Sequence, residues 1–170
     1  MEIAFRPLRE DDLPLFHEWL RREHVRRWWG DYETIEAVAE HYLPAIEGKD
    51  PTDLYVIALD GEPRGYIETY AVVDYPEYEE HVQVGPRVAG VDLFIADAEL
   101  IGRGLGPRII DEFVRTVVLS RDEFDAVVAA PRCENTASIR AFEKAGFRRI
   151  GITTDPEEPG PHQLMRRDRS

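Results

Sequence analysis

The chain has 170 residues, 43% of them hydrophobic and 32% charged, a balance that predicts one soluble globular domain spanning residues 1–170. Its 34 acidic and 21 basic residues give a formal net charge of −13, which argues against a nucleic-acid partner because phosphates would be repelled. The acidic balance is compatible with a cationic substrate, and equally with simple solubility.

The sequence shows no membrane-spanning or secretory segment. No apolar run approaches the length of a membrane span, and charged residues interrupt the first ten positions. The single cysteine, Cys133, cannot form an intramolecular disulfide, so we expect a cytoplasmic protein. His17 and His24 lie two helical turns apart without a third ligand, and we predict no metal site.

The first part of the chain is typical of a strand followed by helices. The strand is IAFRPL, and Asp11 or Asp12 can cap the helix that follows it. The apolar face of this helix consists of Leu13, Phe16, Trp19 and Leu20. The segment HVRRWWGDY predicts a short helix or turn, and Thr34 begins a further helix over TIEAVAEHYLPAI.

The middle of the chain predicts three strands. LYVIAL and RGYIETYAVV flank a turn at Asp60 and Gly61, and VAGVDLFI is the central strand. The acidic segment DYPEYEEHVQVGPR, rich in Tyr and Pro, is interpreted as a long loop.

The last part begins with the glycine-rich stretch ELIGRGLGPRII, which precedes a helix. A strand, FDAVVAA, comes next, and then the helix ENTASIRAFEKAG, with Asn135 near its start and Gly146 just past its end. FRRIGITT and HQLMRR close the chain as a hairpin. The order of elements predicts a mixed α/β domain around one central sheet.

Three glycines, Gly102, Gly104 and Gly106, stand between the central strand and the next helix. Glycine reaches positive φ at no steric cost, and free N–H groups at a helix start form an anion site that suits phosphates. The stretch lacks both the Lys-Ser/Thr pair of a P-loop and the spacing of the dinucleotide fingerprint. The pattern alone leaves two interpretations, a phosphate site or a tight connection that binds nothing.

The segments VDLFIADAELIGRGLGPRIIDEFV and APRCENTASIRAFEKAGFRRIG resemble the GNAT acyltransferases. The resemblance covers nearly the whole chain and implies a mostly antiparallel central sheet that is splayed at an acetyl-CoA site and flanked by helices. It implies that the backbone of Leu93 and Phe94 pairs with the pantetheine amides. It also implies that the backbone of the glycine-rich loop holds the pyrophosphate. The loop residues concerned are Ile101, Gly102, Arg103, Gly104, Leu105 and Gly106.

The family pattern has Gln or Arg where this chain has Ile101, so only the backbone of Ile101 could contribute to the pyrophosphate site. On the last helix, the resemblance implies that Asn135, Ser138 and Phe142 contact the coenzyme. Two of these positions have an ordinary alternative: Asn135 can serve only as an N-cap, and Ser138 can be an exposed serine.

A narrower resemblance, to the aminoglycoside 6′-N-acetyltransferases, lies in LPLFHEWLRREHVRRWWGDYETIEAVAEHYLP, DGEPRGYIETY and GVDLFIADAELIGRGLG. In that family a Trp of the W-W-G segment lines the sugar pocket, and the Asp of the G-[IV]-D triplet lies beside the amine. The resemblance therefore implies an acceptor site with Trp28 or Trp29, Glu68, Tyr70 and Asp92, and implies that Asp92 is the catalytic residue.

These acceptor positions also have structural interpretations. An Asp is unfavourable inside an apolar strand unless something fixes it, so Asp92 either receives the amine proton or is a structural strand acid. Adjacent residues of a helix face different ways, so we expect one of Trp28 and Trp29 in the core and the other partly exposed.

The chain departs from the aminoglycoside enzymes at three positions. Phe142 stands where that family carries a Tyr proposed to protonate the thiolate, and Phe has no hydroxyl. Gly85 and Ala130 stand where it carries pocket acids, which would weaken the hold on a polycation. Glu68 could compensate, as could three acids of the predicted loop, Glu77, Glu79 and Glu80.

The sequence thus predicts an acetyl-CoA-dependent N-acetyltransferase without a metal, acting on a cationic amine, with the 6′-amine of an aminoglycoside as the first choice. Direct transfer needs no covalent intermediate, so Cys133 is interpreted as a loop residue. Alternatives are a siderophore-type lysine derivative, which the segment APRCEN favours, a protein N-terminus, or a non-catalytic acyl-CoA sensor. No nucleic-acid or membrane partner is expected, and the chain is predicted to be a monomer or homodimer.

Overall fold

The computed structural model describes residues 1–170, and its helices and strands follow the predicted order with one addition. The strands are β1 (Ile3–Pro7), β2 (Asp53–Leu59), β3 (Glu62–Ala71), β4 (Val88–Ile95), β5 (Ala126–Ala129), β6 (Arg148–Thr153) and β7 (His162–Asp168). The helices are α1 (Leu13–Arg21), α2 (Glu23–Trp29), α3 (Ile35–Ile46), α4 (Pro76–Val82), α5 (Leu105–Phe113) and α6 (Thr136–Lys144). No helix combines the length and apolar character needed to cross a membrane.

The seven strands form one mixed sheet in the order β1-β2-β3-β4-β5-β7-β6. β4 and β5 run parallel, whereas β1–β2, β5–β7 and β6–β7 are antiparallel pairs. The ladder between β4 and β5 extends from Val88 to Gly90, so the rest of β4 lies outside it. This architecture confirms the predicted mixed, mostly antiparallel sheet.

The chain forms two compact units, one of residues 1–68 and 93–100, the other of residues 69–92 and 101–170. β3 and β4 each contribute residues to both units. The first unit has an aromatic core in which the ring of Phe16 lies 4.7 Å from that of Tyr42 and 4.8 Å from that of Tyr66. The predicted apolar face of α1 supplies four buried residues to this unit, namely Leu13, Phe16, Trp19 and Leu20.

The core of the second unit is mainly aliphatic. β5 is buried at all four positions, as expected for an interior strand that side chains cover on both faces. Ile109, Ile110 and Phe113 of α5 are buried in the same unit, and a π-helical turn, Val114–Val118, extends that helix.

β6 lies at one edge of the sheet and is exposed at five of its six positions. Its apolar side chains Ile150 and Ile152 are 41% and 63% exposed. Two arginines precede them in the strand. Arg148 pairs with Asp168 at 2.6 Å and Arg149 with Glu143 at 3.3 Å.

The acidic segment after β3 is the clearest error of the sequence prediction, because part of it forms α4 rather than a loop. Pro76 occupies the first helical position, where its missing N–H has no intrahelical partner to lose. Val82 is buried, and Gln83 ends the helix in the left-handed conformation at φ 49°. The helix therefore packs against the core through Val82 and the partly buried Tyr78, which stand among three acids.

The predicted helix caps had different outcomes. Thr34 Oγ1 accepts from the backbone N–H of Ala37 at 3.1 Å, so Thr34 is the N-cap of α3, at the place where the sequence predicted that this helix begins. The prediction for α1 was wrong, since no side chain caps that helix. The Asp12 carboxylate instead binds the guanidinium of Arg6 at 2.8 Å and the backbone N–H of Arg9 at 2.8 Å. Asp12 does not cap α1 because Arg6 and the backbone of Arg9 already bind its carboxylate.

Candidate active site

Asp92 lies in β4, in the second unit, and is half-buried. Its Oδ2 accepts a hydrogen bond from the hydroxyl of Tyr70 at 3.4 Å. The pKa of Asp92 is raised to about 6, mainly by burial and next by the carboxylate of Glu158, while the hydrogen bond from the Tyr70 hydroxyl acts in the opposite direction. Asp155 also raises this pKa and His162 lowers it. At neutral pH the side chain is mostly a carboxylate with the proton affinity of a useful general base.

The ring of Tyr70 occupies the space beside Gly90. A Cβ at Gly90 would lie 2.6 Å from Tyr70 Oη and closer still to two ring carbons, so only glycine fits there without displacing the ring. Two further tyrosine rings accompany Tyr70. The centroid of Tyr75 lies 5.3 Å away and that of Tyr78 lies 6.2 Å away.

Tyr78 comes from α4, the helix that the sequence did not predict. Burial is the main reason that the pKa of its hydroxyl is raised well above its ordinary value, and Asp92 and Asp155 raise it further. Its hydroxyl makes a hydrogen bond with Tyr70. The Tyr78 hydroxyl therefore stays protonated at every pH at which the protein would work.

Asp155 and Glu158, in the connection between β6 and β7, are the acids that sequence reasoning missed. Both raise the pKa of Asp92, so three carboxylates act on one another in the second unit. A visible signal was the composition of this connection, DPEEPG, which carries three acids between two predicted strands. The expectation that loop acids near α4 would take this place lacks support. Glu77 and Glu80 are exposed, and Glu79 accepts from the backbone N–H of Gly85 at 3.2 Å.

His162, the first residue of β7, is buried with 2% exposure. Its Nδ1 lies 3.1 Å from the carbonyl of Gly160, and its Nε2 lies 3.1 Å from Oε2 of Glu158. The guanidinium of Arg132 lies 3.5 Å from the same carboxylate oxygen of Glu158. Glu158 is thus held in place by two basic groups.

The predicted acceptor residues Trp28, Trp29 and Glu68 belong to the first unit. Trp29 packs edge-on against Tyr66 and Phe94, with centroid distances of 5.5 and 5.1 Å. The guanidinium of Arg27 lies 4.7 Å from the ring centre of Trp28. Both tryptophans are half-buried, and Trp29 packs against the core of the first unit, whereas Trp28 stacks with Arg27.

Glu68, also in the first unit, is half-buried and accepts a hydrogen bond from the hydroxyl of Tyr66 at 3.2 Å. Leu93 and Phe94 follow Asp92 in β4. The Phe94 side chain is buried, with 7% exposure, and Leu93 is half-buried. Their backbone lies beyond the ladder that joins β4 to β5, as the predicted splay requires.

The glycine-rich loop lies before α5. Gly102 and Gly104 have φ values of 80° and 78°, in the left-handed region that only glycine adopts readily. Gly104 is the N-cap of α5, and no side chain caps the first N–H groups of that helix. Side chains at Ile101 and Arg103 are exposed, Leu105 is buried, and Gly106 lies in the first helical turn. This backbone fits a phosphate-bearing coenzyme, because its donors are free of side-chain caps at the positive end of a helix dipole.

On α6, Asn135 caps the helix through its side-chain oxygen, which accepts from the backbone N–H of Ser138 at 3.2 Å. Ser138 is half-buried, and Phe142 is buried with 3% exposure. The ring of Phe142 packs edge-on against Phe147 at 5.1 Å. The structure thus establishes the capping role of Asn135 and places the Phe142 ring against the core.

The remaining polar residues do not form a metal site. No group of three or more His, Cys, Asp or Glu side chains is arranged to hold a metal ion. Cys133 is a half-buried loop residue whose backbone N–H donates to the carbonyl of Pro161 at 3.0 Å.

Comparisons with known proteins agree with this geometry. A model of the acetyltransferase (GNAT) domain family matches residues 9–154. The aminoglycoside N(6′)-acetyltransferase type 1 of Klebsiella pneumoniae is 32% identical over 168 residues, which are 97% of this chain and 83% of that protein. The lysine N-acyltransferase MbtK of Mycolicibacterium paratuberculosis is 30% identical over 155 residues, 88% of this chain and 66% of that protein.

Among solved structures, AAC(6′)-Ib in complex with paromomycin and acetyl-CoA superimposes with a TM-score of 0.90. The superposition covers 99% of this chain and 94% of that chain, at 33% sequence identity. Both resemblances that the sequence indicated are thereby confirmed, and the seven-stranded sheet agrees with a solved relative that binds acetyl-CoA.

Proposed function

This chain belongs to the GNAT acetyltransferase family, and we propose that it transfers the acetyl group of acetyl-CoA directly to a primary amine of a cationic small molecule. We propose further that this amine is the 6′-amine of an aminoglycoside. The choice of acceptor rests on the carboxylates of Asp155 and Glu158, which interact with that of Asp92. Three carboxylates that interact electrostatically suit an acceptor with several ammonium groups. Similarity to aminoglycoside enzymes over nearly the whole chain supports the same choice.

In the proposed mechanism, Asp92 holds the ammonium of the acceptor and takes one proton, directly or through water, to give the neutral amine. The amine nitrogen then attacks the thioester carbonyl, so that an N–C bond forms and the C–S bond breaks. The second amine proton leaves as the amide forms, and the thiolate of coenzyme A takes up a proton. A pKa of about 6 allows Asp92 to accept a proton at neutral pH and to release it again to solvent.

For the coenzyme we propose the sites that the family resemblance implies. Backbone N–H groups from Ile101 to Gly106 hold the pyrophosphate, supported by the uncapped start of α5. The backbone of Leu93 and Phe94 pairs with the pantetheine, and Asn135 and Ser138 lie along it. Phe142 offers no proton, so the thiolate is protonated by water, which suffices because a thiolate is a good leaving group.

Three broader properties belong to the same proposal. The chain acts as one acetyltransferase domain, since the family model matches residues 9–154 as a single segment. It works in the cytoplasm, where acetyl-CoA is made and used. It acts as a monomer or homodimer.

Turnover of acetyl-CoA against a panel of amines tests the proposal. Thiol release is measured with aminoglycosides, polyamines, lysine derivatives and peptides, with aminoglycosides lacking a 6′-amine as the matched control. We expect the highest kcat/KM for 6′-amino aminoglycosides and none for their 6′-hydroxy counterparts. Preference for a lysine derivative would replace the acceptor, and the similarity to MbtK makes that class the second candidate. Binding of acetyl-CoA without turnover of any amine would instead indicate a sensor.

A further inference from the structure

We infer that Tyr70 is a positioning residue for Asp92, holding its carboxylate in one orientation and in its ionised form, and that Gly90 provides the space for the Tyr70 ring. The inference rests on the proposed function, since it gives Tyr70 a part in the proton transfer to Asp92. It replaces the simpler expectation that Tyr70 only lines the acceptor site.

The hydrogen bond between these side chains has one possible direction. A carboxylate has no proton to give, so the Tyr70 hydroxyl donates to Oδ2 of Asp92, at 3.4 Å. A donor to the charged form stabilises the carboxylate relative to the acid, and it also fixes which oxygen remains for the substrate. Tyr70 thus opposes the burial and the neighbouring carboxylates that favour protonated Asp92.

Gly90 explains how a tyrosine can reach this carboxylate. Any Cβ at position 90 would lie within 2.6 Å of Tyr70 Oη, so a side chain there must displace the phenol that Asp92 binds. Gly90 keeps its place through its carbonyl, which accepts from Oγ1 of Thr69 at 2.8 Å. Glycine is therefore required at the first position of the G-V-D triplet. A side chain there would displace Tyr70, which binds Asp92 at the third position.

Tyr78 packs beside Tyr70 on the same side of the site. The two rings lie 6.2 Å apart between centroids, and their hydroxyls are joined by a hydrogen bond. Tyr78 thus helps to hold the Tyr70 ring in the place from which its hydroxyl reaches Asp92.

The other groups that act on Asp92 come from the far end of the chain. Glu158 and Asp155, in the connection between β6 and β7, oppose its ionisation, and His162 of β7 favours it. None of these three residues lies on β3 with Tyr70. The effect of a substitution at Tyr70 can therefore be distinguished from an effect of Asp155, Glu158 or His162.

The test is Tyr70→Phe, which removes the hydroxyl and retains the ring that packs beside Gly90. The Asp92 carboxyl is titrated by carbon-13 NMR, assigned by its loss in Asp92→Asn, and the acid limb of kcat/KM is measured in parallel. We expect both midpoints to rise by roughly 0.5 to 1 pH unit, the effect of a lost hydrogen bond to a charged group. Activity at pH 6 then falls about two- to fivefold while activity at pH 8.5 changes little.

Two variants complete the test. Tyr55→Phe removes a phenol from β2, in the first unit, and should leave both midpoints in place. Gly90→Ala should raise them in the same direction as Tyr70→Phe, because the added Cβ displaces the phenol. An NMR midpoint that is unchanged in Tyr70→Phe, or a loss of activity equal at every pH, overturns the inference. The NMR titration needs no acceptor, so it gives its answer even if no aminoglycoside is acetylated and the proposed function fails.

Discussion

Nε2 of His162 lies 3.1 Å from Oε2 of Glu158, and this contact joins the first residue of β7 to the connection that precedes it. The pair fixes a carboxylate that acts on Asp92, although Glu158 stands far from Asp92 along the chain. The acceptor site proposed here therefore depends on a connection that lacks regular secondary structure.

The first prediction concerns this carboxylate. Glu158→Gln should raise the KM for an aminoglycoside about tenfold, roughly the value of one charge-assisted hydrogen bond, and leave the KM for acetyl-CoA unchanged. The acid limb should also move to lower pH, because the pKa of Asp92 loses a carboxylate that raises it. Steady-state kinetics at several pH values measure both effects. Glu77→Gln, at an exposed acid of α4, is the matched control, and an equal rise in its KM would contradict the assignment.

The second prediction concerns catalysis by Asp92. Asp92→Asn keeps the size of the side chain and removes its charge, so turnover should fall about 10²–10⁴-fold, the usual contribution of a general base. Affinity for acetyl-CoA, measured by calorimetry, should hardly change because backbone groups elsewhere hold the coenzyme. An Asn variant with wild-type turnover on its best amine would remove Asp92 from the mechanism.

The third prediction concerns the stability of the same variant. The folded pKa of Asp92, about 6, exceeds the unfolded value of roughly 3.9, so the stability that this group contributes is complete below about pH 4 and is lost as pH rises through 6. At pH 7.5 its buried charge destabilises the fold, and Asp92→Asn should be more stable by about 1–3 kcal/mol.

Thermal unfolding measures this difference. The Tm of Asp92→Asn should exceed that of the wild type by several degrees at pH 7.5, at roughly 2–4 °C per kcal/mol, and the two should converge near pH 4. A variant that melts at or below the wild type at pH 7.5 would show that the carboxylate is stabilised by its surroundings.

The fourth prediction concerns the glycine-rich loop. Gly104→Ala places a side chain at φ 78°, which costs roughly 1–2 kcal/mol, and should weaken coenzyme A binding at least tenfold. Gly48→Ala is a close control, because Gly48 has φ 77° and a Cβ at either position meets no atom within 4 Å. Both variants should lose similar stability, and only Gly104→Ala should lose affinity in calorimetry. Equal affinities would mean that the loop backbone does not hold the pyrophosphate.

The fifth prediction concerns ligand-linked stability. Coenzyme A should raise the Tm, since a ligand that binds only the folded state stabilises it by about 2.7 kcal/mol at a hundred times its Kd. ATP and NAD at the same concentration should raise it much less, because they lack the pantetheine. Equal shifts with all three ligands would indicate a general nucleotide site.

Local signals predicted much of this structure. The cap at Asn135 and the hairpin of β6 and β7 depend on neighbouring residues, which is why the sequence located them correctly. The helix α4 was not predicted because its three acids leave only Val82 and the partly buried Tyr78 to pack against the core, which is too few apolar residues for a helical periodicity. Its location follows from packing in the second unit rather than from a periodic pattern.

The acids around Asp92 show the other limit of sequence reasoning. Their approach depends on how β7 pairs with β5, where Val128 lies opposite Arg166, and no local pattern encodes that register. Sequence reasoning therefore chose the acids of α4, which are closer to β4 along the chain. The composition of DPEEPG showed that this connection is acidic, but it did not show that its acids interact with Asp92.

The exposed edge strand β6 has a consequence for handling the protein in solution. An edge strand with open N–H and C=O groups and apolar side chains is a template for aggregation with other chains. Arg148 and Arg149 place positive charge on this edge, which disfavours pairing with a strand of another chain. Their partners Asp168 and Glu143 keep the guanidinium groups beside the strand. We therefore expect solubility at high concentration to depend on these two arginines, and neutral replacements there to favour fibrous precipitates.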